Sequence, residues 1–169
     1  MTNPIKAWHF IYSDSTIQTP SMKRPLKVHR GQILRHRGPL ELCKKGLHAS
    51  IKPLDALKYA PGSVVCRVEC SGEVIYGEDK LVCSRRRVLW IEDASRVLCE
   101  YATWCIFENL EAEYSDPRNL GSGARNKAIH DAIRYHHTAR ETAWVTAWHA
   151  ARENQNEELE RRLLALQPH

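Results

Sequence analysis

Three groups of residues in this sequence are of types that can do chemistry. The first lies in Gly46-Leu-His48-Ala-Ser50-Ile-Lys-Pro53-Leu-Asp55, which sets an imidazole, a hydroxyl and a carboxylate close together. A histidine placed just before a helix can donate one ring hydrogen bond to a backbone carbonyl and hold Asp55 with another, fixing the loop without chemistry. That structural role is the one expected for His48. The same His48, Ser50 and Asp55 are also the residues from which a nucleotide pocket would be built.

The second group is basic. Between Lys23 and Lys45 the chain carries eight basic residues, among them Lys23, Arg24, Lys27, Arg30, Arg35 and Arg37, against a single acid, Glu41. Arg85, Arg86 and Arg87 follow as a second block, and the end of the chain reverses sign with Glu153, Glu157, Glu158 and Glu160. The net charge of +5 is modest, but this asymmetry predicts a basic face able to meet phosphates or an acidic protein.

The third group is the thiols and imidazoles. Cys43, Cys66, Cys70, Cys83, Cys99 and Cys105 contain no C-x-x-C pair, and the spacing of Cys66 and Cys70 fits one face of a strand rather than a zinc knuckle. Buried apolar fillers are the expectation for them. His130, His136, His137 and His149 sit in a helical pattern without an acidic partner in a ligand motif. The chain has no P-loop, no dinucleotide fingerprint, no nucleophile elbow and no H-E-x-x-H. We therefore assign no catalytic residue, no metal and no cofactor.

The elements that must position these groups follow two periodicities. Up to about residue 92, short β-prone runs (7–12, 26–34, 40–43, 63–70, 73–76 and 80–91) are separated by Gly31, Gly38, Gly46, Gly62, Gly72 and Gly77. Val64, Cys66, Val68 and Cys70 alternate with more polar neighbours as in a half-buried strand, and Ser71-Gly72 is expected to turn the chain. One short helix over 53–60 interrupts the strands, with Pro53 in its first turn, Asp55 at the positive end of its dipole and Pro61-Gly62 as its stop.

From Asp93 the period becomes that of a helix, capped by Asp93 or Ser95 and striped by Val97, Cys99 or Glu100, Tyr101, Trp104, Ile106 and Phe107. A turn-rich stretch over 115–123 leads to a last helical stretch, 124–166, whose alanines recur mainly every four residues beside Trp144 and Trp148. At about 60 Å such a helix would outrun the domain, so it must bend or meet another molecule. Asn154-Gln-Asn156 is the expected break, and Trp144 with Trp148 the expected interface, either with the helix of Trp104 and Phe107 or with a second copy in a homodimer. The fold class is α+β: a mostly antiparallel sheet with one short helix over 1–92, then a helical region over 93–169.

With 169 residues, 43% apolar and 27% charged, the chain has the composition of an ordinary globular domain. Its apolar runs are far shorter than the roughly 20 residues that a bilayer span needs, and no charged segment leads into a long apolar one at the N-terminus. A cytosolic location with reduced thiols is the expectation, and no membrane partner.

The stretch from Gly31 through Cys43-Lys-Lys-Gly46-Leu-His48-Ala-Ser50 to Pro53-Leu-Asp55, with Arg67-Val-Glu-Cys-Ser-Gly-Glu and Asp79-Lys-Leu-Val-Cys83 after it, resembles an uncharacterised domain family of bacteriophages and prophages. The resemblance covers residues 26 to 92. It implies a phage origin more than an activity; with the small sheet, the basic face and the projecting helix, the expected function is a phage-encoded accessory protein of the host cytoplasm that binds and inhibits or redirects a host factor, with counter-defence of the anti-CRISPR kind as one form. Its partner would be a host protein or ribonucleoprotein complex, with nucleic acid an option through the basic face. A minor virion or morphogenesis protein suits the same features.

The enzymatic alternative is also a resemblance. Val28-His-Arg30-Gly31 followed by Gly46-Leu-His48-Ala-Ser50 looks like the arginine and serine motifs of NAD-dependent ADP-ribosyltransferases. Their Glu-x-Glu or Gln-x-Glu pair is missing, however, and only Glu92 or Glu100 stand in for it. A binding protein is therefore expected before an enzyme.

Overall fold

The computed structural model describes residues 3–18, 24–114 and 152–168, with the side chains of 106–114 and 152–153 outside that description. Lys23, Trp144 and Trp148, the four helical histidines from His130 on, and the predicted interface around Trp144 all lie outside the described residues.

The elements run β1 (Ile5–Ile11), β2 (Thr16–Ile17), β3 (Leu26–Lys27), β4 (Ile33–Arg35), β5 (Leu47–Ala49), α1 (Pro53–Lys58), β6 (Val64–Tyr76), β7 (Leu81–Asp93), α2 (Ser95–Tyr114) and α3 (Arg152–Leu164). The architecture is mixed α+β with an antiparallel sheet. Its spine is the hairpin of β6 and β7, thirteen residues each, turned by a Gly77 N–H to Lys80 C=O bond of 2.8 Å. β1 pairs along β6, while β4 and β5 pair successively along the far edge of β7. A bridge between Trp8 and Ser50, with N–H to C=O distances of 2.7 and 3.0 Å, joins β5 back to β1. The sheet thereby closes into a small ring, β1-β6-β7-β5.

Two expected turns are different in the structure. Ser71-Gly72 reverses nothing: β6 runs through it with a register shift, and Gly72 takes φ +80° inside a bulge, where the Glu73 amide donates to Ser84 Oγ at 3.0 Å. Residues 40–43 form no strand but a tight turn held by the Glu41–Lys45 bridge. The run expected over 26–34 divides into β3 and β4, with a Gln32 N–H to His29 C=O bond in the intervening turn.

One face of the sheet carries Trp8, Phe10, Val65 and Trp90, on which α1, α2 and α3 pack with Leu54, Leu57, Leu98 and Tyr101. Trp8 meets Trp90 edge to face at 5.7 Å. The buried stripe of α2 is Val97, Leu98, Tyr101, Ala102 and Cys105, whereas Cys99 and Glu100 are exposed. Its start is capped by Asp93, whose Oδ1 accepts from the Ser95 hydroxyl at 2.6 Å and the Ser95 amide at 2.9 Å, and these bonds, the hydroxyl's first, draw the carboxyl below its ordinary range. The opposite face, inside the ring, packs Ile11, Val68, Leu81 and the thiols of Cys66, Cys70 and Cys83 with Ile17 of β2 and Val28, which follows β3.

The expected break at 154–156 is a correction, because α3 runs straight through it. Gln155 is buried there with its carbonyl accepting from Tyr101 Oη at 3.2 Å, and Asn156 Oδ1 accepts the Leu54 amide at 3.1 Å. These tertiary partners outweigh the weak helix propensity of the two asparagines. Leu159 and Leu163 are fully buried, each contributing about 1.5–3 kcal/mol. Glu160 reaches the sheet, accepting from Trp8 Nε1 at 3.3 Å and pairing with Arg67, whose guanidinium lies over the Trp8 ring at 4.2 Å.

Candidate functional site

Alternation along β7 divides the three consecutive arginines. Arg85 and Arg87 project on the outer face, and Arg86 turns into the ring, where only 3% of its surface is exposed. Arg86 is therefore no part of the basic face. It donates from Nη1 to the His48 carbonyl at 2.5 Å, while its buried Nε has no hydrogen-bond partner. Burial pulls its pKa below the ordinary guanidinium value, and the nearby thiols of Cys70, Cys66 and Cys83 oppose that shift.

His9 stands beside it. Burial, then the charges of Arg86 and His48, hold its pKa well below the ordinary imidazole value, so it is neutral at pH 7. His48 is lowered by burial, Lys80 and Arg86 in that order, against a backbone hydrogen bond at Gly46. Burial pushes the Cys66 thiol up to about 12. Cys70 and Cys83 share a hydrogen bond that favours ionisation of Cys83 and keeps Cys70 protonated.

The loop expected to be fixed by His48 is fixed by it, through a different contact. His48 Nε2 accepts the Cys43 amide at 2.9 Å, with Cys43 itself at φ +68°. Gly46, at φ +120°, is required by space as well as by angle: a Cβ there would come within 2.3 Å of the Val82 side chain. Asp55 faces elsewhere, lining a hollow with Lys58, Tyr76 and Asp79.

Two adjoining recesses meet at His9, Phe10, His48 and Tyr59. One, of about 280 Å³, adds Cys43, Ser50 and Lys80; the other, of about 230 Å³, reaches Arg86 between Tyr12, Ile17 and Pro61. Tyr59 forms the shared rim, its hydroxyl donating to Asp79 Oδ2 at 2.6 Å and its ring lying 3.8 Å beneath Lys80 Nζ. Arg30, on the exposed turn between β3 and β4, lines neither recess, so the arginine and serine of the transferase resemblance do not converge. Among the described residues no group of three or more His, Cys, Asp and Glu is placed to hold a metal ion.

Residues 6–100 match a family described as a domain of unknown function, DUF7666. The chain belongs to the DUF7666 family. No curated protein sequence and no solved structure matches it. The DUF7666 region starts in β1 and ends in the second turn of α2, so it contains every residue lining both recesses, whereas α3 lies beyond it.

On the outer face, register sets Arg35 directly opposite Arg85, with Ser71 next across the sheet. The adjacent row is Ile33, Arg87, Glu69 and Lys6. Arg24, Lys27, Arg30, Arg35, Arg37 and Arg87 are exposed and Arg85 is half-buried. Sequence reasoning missed His9 and Arg86 as a pair, although three arginines in a strand cannot all share one face.

Proposed function

We propose that this DUF7666 chain is a phage-encoded accessory protein that binds a host factor through its outer basic face and inhibits or redirects it, counter-defence of the anti-CRISPR kind being one form. The observation that carries this reading is the pairing of Arg35 with Arg85. Like charges directly opposite each other on neighbouring strands are destabilising. No carboxylate among the described residues pairs with either, and Arg85 Nε is buried without an acceptor. An arrangement unfavourable in isolation becomes favourable against an acidic protein surface or phosphates. The phage origin rests on the resemblance of residues 26 to 92, and the host cytoplasm follows from it.

The test is capture from lysates of the bacterial host, with and without phage infection, on the tagged full chain, with mass spectrometry, comparing wild type with the R35E/R85E variant at low and high salt. The wild type retains a specific partner, and the variant loses most of it with a weaker salt dependence of what remains. Equal capture at both salt concentrations contradicts the basic face. A partner encoded by the phage itself would favour the morphogenesis role.

A further inference from the structure

The inner recess at Arg86 has properties that the outer face does not share. Arg86 carries a buried charge for which no carboxylate among the described residues provides a partner; the ionisable groups beside it are the thiols of Cys70, Cys66 and Cys83 and the imidazoles of His9 and His48. A buried cation left without a counter-charge is strongly unfavourable, and an anion seated against it relieves that cost. The recess it lines is walled by Phe10, Ile17, Tyr59 and Pro61, with His9 and His48 as the other polar groups near the guanidinium.

We propose that this recess binds a small organic monocarboxylate, its carboxylate on Arg86 and its apolar body between Phe10, Ile17 and Tyr59. Three observations select that class. There is one fixed cation, because Lys80 lines the neighbouring recess, so a phosphate dianion or pyrophosphate would leave excess negative charge in an apolar cavity. The volume of about 230 Å³ falls below the roughly 300–1,000 Å³ of sites for drug-sized ligands. A guanidinium with one edge committed to the His48 carbonyl still has donors for a carboxylate. This site uses the interior of the ring and is independent of Arg35 and Arg85.

Benzoate is the probe, with benzyl alcohol supplying the body without the charge and inorganic phosphate the charge without the body. Calorimetry and thermal melting of the full chain should show saturable benzoate binding and a raised Tm, with neither control doing so. R86Q should weaken benzoate at least tenfold, while R35E/R85E leaves it unchanged. Because R86Q removes a buried residue and can fail to fold, the wild-type Arg86 Nε–H resonance supplies a second readout, and it should shift on adding benzoate. No shift and no change in Tm, or equal binding of benzyl alcohol or phosphate, would overturn the proposal. So would a thiolate absorbance at neutral pH that disappears in C83S, since Arg86 would then have its counter-charge from within.

Discussion

The amide of Leu54, in the first turn of α1, is capped by the side chain of Asn156, 102 residues further along the chain. The residue at the N-cap position, Lys52, makes no side-chain cap of its own. A helix of only six residues cannot hold itself together in water, so α1 depends on α3 for its start and on the sheet for its burial. Since α1 supplies Ala56 and is followed directly by Tyr59, the recesses inherit that dependence.

Replacing Asn156 by Ala should therefore cost about 1 kcal/mol, the usual loss on removing a helix cap. Asn156→Asp keeps an acceptor and should cost less. Urea denaturation of the two variants, with an unchanged m-value, checks both.

Leu159 and Leu163 have no exposed surface, and each substitution by Ala should cost about 2–5 kcal/mol, as for large core side chains. A chain ending at Asp116 lacks both, together with Asn156 and Gln155. It should lose cooperative unfolding by near-ultraviolet circular dichroism. A truncated chain with the full native signal would show that α3 is an appendage.

Much of this arrangement was legible in the sequence. Short β-prone runs between glycines marked β1 and β7, alternation marked the first half of β6, and Pro53, Asp55 and Pro61 marked α1 to within two residues. The errors have a common cause, which is that local signals do not say what lies across the fold. Positive φ at Gly72 suits a bulge as well as a chain reversal. Asn154-Gln-Asn156 reads as a weak helical segment until Leu54 and Tyr101 are placed beside it. The inward turn of Arg86 was implicit in strand periodicity, but its neighbours His9 and His48 come from strands far apart in sequence.

Acid should destabilise the protein in two windows. His9 is held neutral by burial, so the unfolded chain binds a proton there that the native chain does not, and its contribution is lost as pH falls below 6.5. Glu158 is held down to about 2 by hydrogen bonds from Arg161 and then Arg162, so its contribution is present above its ordinary 4.5 and is lost between 4.5 and about 2. Stability measured against pH should lose the first slope in His9→Gln and the second in Glu158→Gln.

Thiol accessibility reports on the closed ring. Cys43 and Cys99 are exposed, and Cys66, Cys70, Cys83 and Cys105 are buried. Iodoacetamide should modify two cysteines in the native protein and all six in denaturant, counted by mass spectrometry. Reaction of Cys70 or Cys83 under native conditions would mean that the interior opens.

The division of the arginine block is the most direct test of the central claim, because it separates recognition from folding within three consecutive residues. Partner capture and circular dichroism should be measured together for Arg85→Glu, Arg86→Glu and Arg87→Glu. Arg85→Glu should keep the fold and lose most of the captured partner, Arg87→Glu should keep the fold with a smaller loss, and Arg86→Glu should unfold the chain. Full capture by a folded Arg85→Glu protein, or a folded Arg86→Glu protein that alone loses the partner, would contradict recognition through the outer face.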